Sequence, residues 1–249
     1  MIREHHDAHA HTPVRVEASR KRVRAYLGGV AVVDTLHPLL VWEHPHYPAY
    51  YLPAADFMDG VLEATGETRR SPSRGNAGRY TVRAGNAVAT GVALRYDDSP
   101  VPELNGHVRL EWDAMEAWFE EDEEVFTHPR NPYARIDILP STRPVRVDLD
   151  GVTIAETTSA RLLFETHLPT RFYVPKTDVR MDLLERSATT TSCPYKGTAN
   201  YWSVRVNGQL HEDMAWSYRT PLPESQKIAG LIAFWKDAEI FVDGVRQEG

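Results

Sequence analysis

The segment Cys193-Pro194-Tyr195-Lys196-Gly197 holds the single cysteine of the 249-residue chain, three positions ahead of a lysine. An ammonium near a thiol favours the nucleophilic thiolate, so Cys193 and Lys196 form a candidate catalytic pair for a thiol, acyl or nucleotide substrate. The alternative is an inert packed thiol, since lone cysteines are among the most buried residues. His128, His167 and His211 are available as bases, but spacing alone pairs none of them with Cys193. Lys196 beside Gly197 also suits a phosphate or carboxylate, the glycine permitting close backbone approach. A turn lysine in solvent is the other reading. The segment is not a Walker loop, because it lacks that motif's glycine spacing and its Ser or Thr.

Around this segment the chain is rich in rings. Tyr195, Tyr201, Trp202, Trp216 and Tyr218 make a candidate ligand-lining cluster, against the alternative that they pack a β core. A second chemically loaded stretch is the acidic run Glu120 to Glu124, followed by His128-Pro129-Arg130. Glu121, His128 and Arg130 are its candidate ligand-binding residues. Its carboxylates offer the oxygen donors that Mg²⁺ prefers, or simply a solvated face. His5, His6, His9 and His11 would clamp a divalent metal if ordered, or form a flexible tail. One cysteine cannot supply a Cys-rich tetrahedral shell, so no structural zinc is expected, and the cofactor is unknown.

The elements that must position these groups come as a repeat. Val23-Arg24 returns as Val145-Arg146, Glu43 as Glu165, Tyr51-Leu52-Pro53 as Tyr173-Val174-Pro175, and Asp56 as Asp178, each 122 positions later. The same register sets Ser71-Pro72-Ser73-Arg74-Gly75 against the cysteine segment. Pro and Gly persist while the reactive residues differ. Matched Glu43 and Glu165, like Asp56 and Asp178, predict structural pairing, since the rest of the site is not duplicated. Alternating runs with Gly-bearing turns at Gly28-Gly29, Asp150-Gly151, Gly85-Asn86 and Asn207-Gly208 predict hairpins. Proline-stopped runs at Tyr50 to Pro53 and Phe172 to Pro175 predict further strands. Ala54 to Glu63 and Lys176 to Glu185 carry acidic then apolar residues at a helical spacing and predict one short helix or turn each, with Leu183-Leu184 as the buried face. Near the end of each copy the register slips by two, setting Gly106 against Gly230. The expected organisation is a flexible His-rich tail over residues 1–13, a first β repeat with an acidic connector over 14–128, a linker over 129–139, and a second β repeat over 140–249. Each repeat should hold five to seven strands, as an open barrel or a pair of packed sheets.

Composition bounds the function classes. Hydrophobic residues at 42% and charged residues at 25% are ordinary for a soluble protein, and no apolar run approaches the roughly 18 residues of a membrane helix. The net charge of −7 argues against a nucleic-acid partner, which a basic face would attract. Lacking an apolar signal core and any second cysteine, the chain is expected in the cytoplasm, as a monomer or homodimer.

The cysteine segment, Tyr201-Trp202-Ser203, Ala215-Trp216-Ser217-Tyr218, Ile228 to Phe234, and Glu120 to Glu124 with His128-Pro129-Arg130 together resemble the family catalogued as domain of unknown function 427. The resemblance spans roughly Val14 to Gly244. It implies a mainly β fold of two tandem small β domains, similar to the β-tent folds of zinc-binding exchange-factor-like and methionine sulfoxide reductase proteins. A nucleotidyltransferase-like label given to the family carries no chemistry by itself. A single-domain member would hold both the cysteine segment and the acidic run, whereas here each half keeps one. The leading expectation is a small molecule, of unknown identity, bound in a cleft of the second repeat that the first helps to close. The alternatives are an enzyme using Cys193 with Lys196, and a protein-interaction scaffold displaying the aromatics.

Overall fold

Left-handed turn residues cut the chain into hairpins. Gly28-Gly29, Asp150-Gly151, Asn207-Gly208 and Asp243-Gly244 have positive φ at both positions, the turn whose twist matches that of paired strands. The structure, a computed structural model, describes residues 14–235 and 237–247. The expected tail, with His5, His6, His9 and His11, lies outside the described residues. Two compact units, residues 1–131 and 132–249, divide the chain.

The first unit contains β1 (Arg15–Ala18), β2 (Val23–Leu27), β3 (Val30–Thr35), β4 (Leu39–Trp42), β5 (Ala49–Pro53), β6 (Leu62–Ser71), β7 (Gly75–Ala84), β8 (Ala87–Asp98), β9 (His107–Leu110), β10 (Ala117–Glu120) and β11 (Glu123–Glu124). The second contains β12 (Ile136–Pro140), β13 (Val145–Leu149), β14 (Val152–Thr157), β15 (Arg161–Glu165), β16 (Arg171–Tyr173), β17 (Leu184–Cys193), β18 (Gly197–Val206), β19 (Gln209–Tyr218), β20 (Ala233–Phe234), β21 (Glu239–Val242) and β22 (Val245–Arg246). The copies correspond strand for strand, β1 with β12 through to β11 with β22. Eleven strands per unit among the described residues exceed the five to seven expected. Two-residue strands carry no period, and β6 and β17 are exposed on both faces, so neither kind alternates in sequence.

In the first unit one sheet runs β1-β4-β5-β9-β8-β7-β6 and a second runs β11-β10-β2-β3. The second unit repeats this order as β12-β15-β16, β17-β18-β19-β20 and β14-β13-β21-β22. Its long sheet is interrupted where β16 meets β20, leaving the single bridge Val174↔Ile232. The protein is mainly β, built of packed antiparallel sheets.

Period-two alternation gives the long sheet two buried faces. Leu52 and Tyr50 of β5 face the short sheet, packing with Val23, Ala25, Val33 and Trp118. Tyr51 points the other way, onto Val41, Ala77, Leu94, Tyr96 and Leu104. The second unit has the same front core, around Val147, Ile154, Val204 and Phe234, and the same back core, around Leu163, Tyr173, Ala199 and Ile228.

The short helix or turn expected in each copy takes the form of single 3₁₀ turns, Ala54–Asp56, Lys176–Asp178 and Met181–Leu183. Thr35 and Thr157 each bond Asp56 and Asp178 across from them, and the chain then enters the long strands β6 and β17. Two other expectations are corrected. The acidic run is not a connector but the hairpin β10–β11, whose counterpart is β21–β22. Residues 136–139 are not linker, since β12 pairs with β15 throughout. Among the described residues no helix is long and apolar enough to cross a membrane.

The turns joining β6 to β7 and β17 to β18 close on Gly75 and Gly197, both with positive φ. A Cβ on Gly75 would sit 2.6 Å from Pro100 Cδ, whereas one on Gly197 meets nothing nearer than 3.5 Å. Gly75→Ala should therefore lower stability by about 2 kcal/mol, and by more than Gly197→Ala, in urea denaturation midpoints.

Candidate functional site

In the second unit, the β17–β18 turn carries Lys196 inward rather than into solvent. Its ammonium donates to Glu165 at the end of β15, with the two side chains only 11% and 9% exposed. A charge so placed is paired with its carboxylate rather than with solvent. Cys193 is partly buried at the end of β17, opposite Gly197. His211 stands opposite Val204, toward the far end of β18, with Nε2 2.9 Å from Asp150. His167 occupies the exposed turn after β15, with φ 67°.

Behind the ion pair lie buried tyrosines. Tyr173 accepts a 3.2 Å hydrogen bond from Trp216 Nε1. Burial pushes the Tyr173 and Tyr218 hydroxyls well above the ordinary tyrosine range, and Glu165 and Cys193 add repulsion at both. In the first unit Glu43 has the same place, accepting from Tyr51 at 2.7 Å and from Arg109 at 3.0 Å, with Arg74 3.7 Å away. Burial, reinforced by Glu43, likewise raises Tyr51. Glu43 and Glu165 thus have the arginine or lysine partners that their duplication suggested.

The aromatic cluster is divided by the pleat. Tyr201, Trp216 and Tyr218 belong to the back core, while Trp202 faces the front core with Lys176 5.4 Å over its ring. Tyr201 bonds Thr191 at 2.9 Å, and Tyr195 offers its carbonyl to Ser225 at 3.2 Å. Where the second unit has Tyr201 and Ala233, the first has Arg79 and Arg109. The aromatic surplus enlarges a core that arginines border in the other copy. A groove does exist in the second unit, of about 560 Å³, but none of these five aromatics lines it.

The better-defined cleft is in the first unit. It encloses about 420 Å³ between Tyr47–Tyr50, Arg109–Trp118 and Thr127–Pro129, with Arg69 at its rim. Trp112 and Trp118 stack at 4.7 Å and 9°, and Tyr47 stacks on His128 at 4.3 Å and 15°. A smaller hollow of about 240 Å³, lined by Glu43, His44 and Arg109, shares Tyr47 with it. The acidic hairpin supports this wall from behind. Glu120, 5% exposed, accepts from Lys21, from the Tyr50 hydroxyl and from the Arg130 amide.

Of the residues named from this stretch, only His128 lines the cleft. Glu121 accepts the Arg22 amide at 2.9 Å, Asp122 pairs with Arg24, and Arg130 pairs with Glu123. Each acid so engaged is a fastener of the hairpin. Among the described residues no group of three or more metal-binding side chains converges.

The family profile described as a domain of unknown function (DUF427) matches residues 15–121 and again 137–248. The chain belongs to the DUF427 family. It is a tandem protein, with one match in each compact unit. No curated protein sequence matches it. In the first DUF427 copy, sequence reading passed over Tyr47, Arg69, Arg109 and Trp112 as ligand residues. The usable signal was their failure to recur, since Arg69 and Arg109 meet Thr191 and Ala233 in the second copy.

Two measurements test the buried chemistry. Lys196→Met should cost about 3 kcal/mol by leaving Glu165 uncompensated, and adding Glu165→Gln should recover most of it in denaturant titrations. The raised tyrosines keep protons that the unfolded chain releases from its ordinary value of 10.0 upward. Stability should thus be intact below about pH 10 and fall as pH rises beyond it. Tyr218→Phe should flatten that alkaline decline.

Proposed function

We propose that the first unit binds a small planar aromatic molecule bearing both an acidic and a basic group. The observation that carries this reading is the convergence, in one cleft, of two near-parallel ring stacks with side chains of both signs. Rings aligned within 15° present flat faces on which another ring can lie. Arg69 and Arg109 offer guanidinium donors, and Glu111 and Asp113 accept. A volume near 420 Å³ lies in the range of small-molecule sites.

The comparison between copies supports a role beyond packing. Trp118 and Arg109 correspond to Ile240 and Ala233, so the same frame closes without them. The hydrogen bonds from Tyr50 and Arg130 to Glu120 hold the back of the cleft before any ligand arrives, which reduces the ordering cost of binding. The crossing of a long and a short antiparallel sheet in each unit is compatible with the β-tent architecture that we propose for both.

Calorimetric titration with tryptophan, phenylalanine and adenosine monophosphate tests the reading. At least one should bind with a single site, and Tyr47→Ala and Arg109→Gln should each weaken it about tenfold. Tyr47 is 39% exposed, so its removal leaves the core intact. Binding that ignores both substitutions would place the ligand elsewhere.

A further inference from the structure

The groove of the second unit has a lining unlike any other part of the molecule. Four hydroxyl residues, Ser141, Thr142, Thr158 and Ser159, surround it together with Arg161 and Lys227, and none of its lining residues is acidic. The whole chain carries a net charge of −7, so a concavity with two cations and no carboxylate runs against its background. Among the described residues neither Arg161 nor Lys227 forms an ion pair, although most of the chain's other arginines do. Among the described residues the Lys227 ammonium donates one weak hydrogen bond, to the Ile138 carbonyl at 3.3 Å.

The groove is also held in shape. Ser141 donates its amide to Ala160 at 3.0 Å, and Ser159 donates its amide to Thr157 at 2.9 Å. The first bond ties the turn after β12 to the turn before β15, and the second braces the latter turn internally. Two carboxylates near these turns are already engaged: Asp178 accepts from Thr157 at 2.6 Å, and Asp243 pairs with Arg143 at 2.6 Å. A set of hydroxyl and cationic donors with no carboxylate in its lining is the arrangement that recognises a tetrahedral oxyanion.

Duplication provides the control. The positions matching Arg161, Thr158 and Ser159 are Leu39, Leu36 and His37, and Lys227 is matched by Glu103. The first unit builds the corresponding strands and a corresponding 3₁₀ turn, Pro102–Leu104 against Pro223–Ile228, with a leucine and an acid where the second has its two cations. Neither charge is therefore required by the fold. The aromatic surplus of the second copy also fails to recur, but those rings are buried in a core, whereas this lining faces an open groove.

We propose that the second unit binds a phosphate group, free or as a phosphomonoester, in this groove, with Arg161 as the forked donor, Lys227 as the second charge and the hydroxyls completing the shell. Inference and cleft are independent, since no residue is common to the two sites.

The test is calorimetric titration of the intact protein with inorganic phosphate and with phenyl phosphate, at constant ionic strength in chloride. One saturable site is expected, weakened about tenfold by Arg161→Gln and by Lys227→Gln and unaffected by Arg109→Gln. Ser159→Glu, at an exposed position, should abolish binding by placing an anion in the groove. Tighter binding of phenyl phosphate would identify an esterified ligand, and tighter binding of inorganic phosphate the free ion. No saturable binding to the wild-type protein, or binding that survives the Lys227→Gln/Ser159→Glu double variant, overturns the proposal. Loss with Arg109→Gln but not with Arg161→Gln would overturn it too, by moving the phosphate to the first unit.

Discussion

Each unit depends on one electrostatic contact at the tip of a hairpin of two ten-residue strands, β6–β7 in the first and β17–β18 in the second. β4 and β7 are four places apart in their sheet, yet Glu43 just beyond β4 reaches Arg74 in the turn before β7. The sheet must curl for those ends to meet, and the pair marks where it does. Lys196 and Glu165 do the same between β18 and β15. Such a pair adds little net stability over a well-packed apolar one, but losing either member strands a buried charge. Its effect is to select one curvature. The back core of tyrosines then packs beneath the contact, with Tyr51 hydroxyl bonded directly to the carboxylate.

The two copies share this frame and differ in what is mounted on it. At Glu43 the first unit adds a second cation, Arg109, which opens onto the cleft. The second unit places Ala233 there and fills the back face with Tyr201 and Trp216. The cost of arranging arginines around one carboxylate is offset in the first unit by solvent access, since these side chains remain about a fifth exposed. The second unit excludes water and needs only one cation. Local dielectric, set by neighbouring residues, decides whether the same carboxylate borders a cleft or is sealed beneath a hairpin.

Much of the architecture was legible because β structure writes a period of two and its turns demand particular residues. Asn207-Gly208 and Asp150-Gly151 announced hairpins, and the offset of 122 residues announced two units of the same kind. Boundaries were less legible. Glu120 to Glu124, bracketed by aromatic residues and prolines, read as an ordered connector because sequence shows charge but not its partners. Lys21 and Arg24, from nearly a hundred residues away, and the nearby Arg130 fasten the run as a hairpin edge. The helical spacing at Ala54 to Glu63 yields only the 3₁₀ turn Ala54–Asp56, and Leu62-Glu63 already belong to the strand paired with β7.

The candidate sites divide in the same way. Residue types alone determined that Cys193 had no cysteine partner within the chain and that the copies were unequal, and they suggested a structural role, capping or pairing, for Glu43 and Glu165. Folding decided which side of the sheet each ring occupies, and that placed Trp202 and Trp216 in separate cores. It also decided that Lys196 is spent on Glu165 and that Arg161 is not spent on any carboxylate among the described residues. Chemistry belongs to the residue, but availability depends on what stands within a few ångströms. That neighbourhood is assembled from positions tens of residues apart, so only the tertiary structure could specify it.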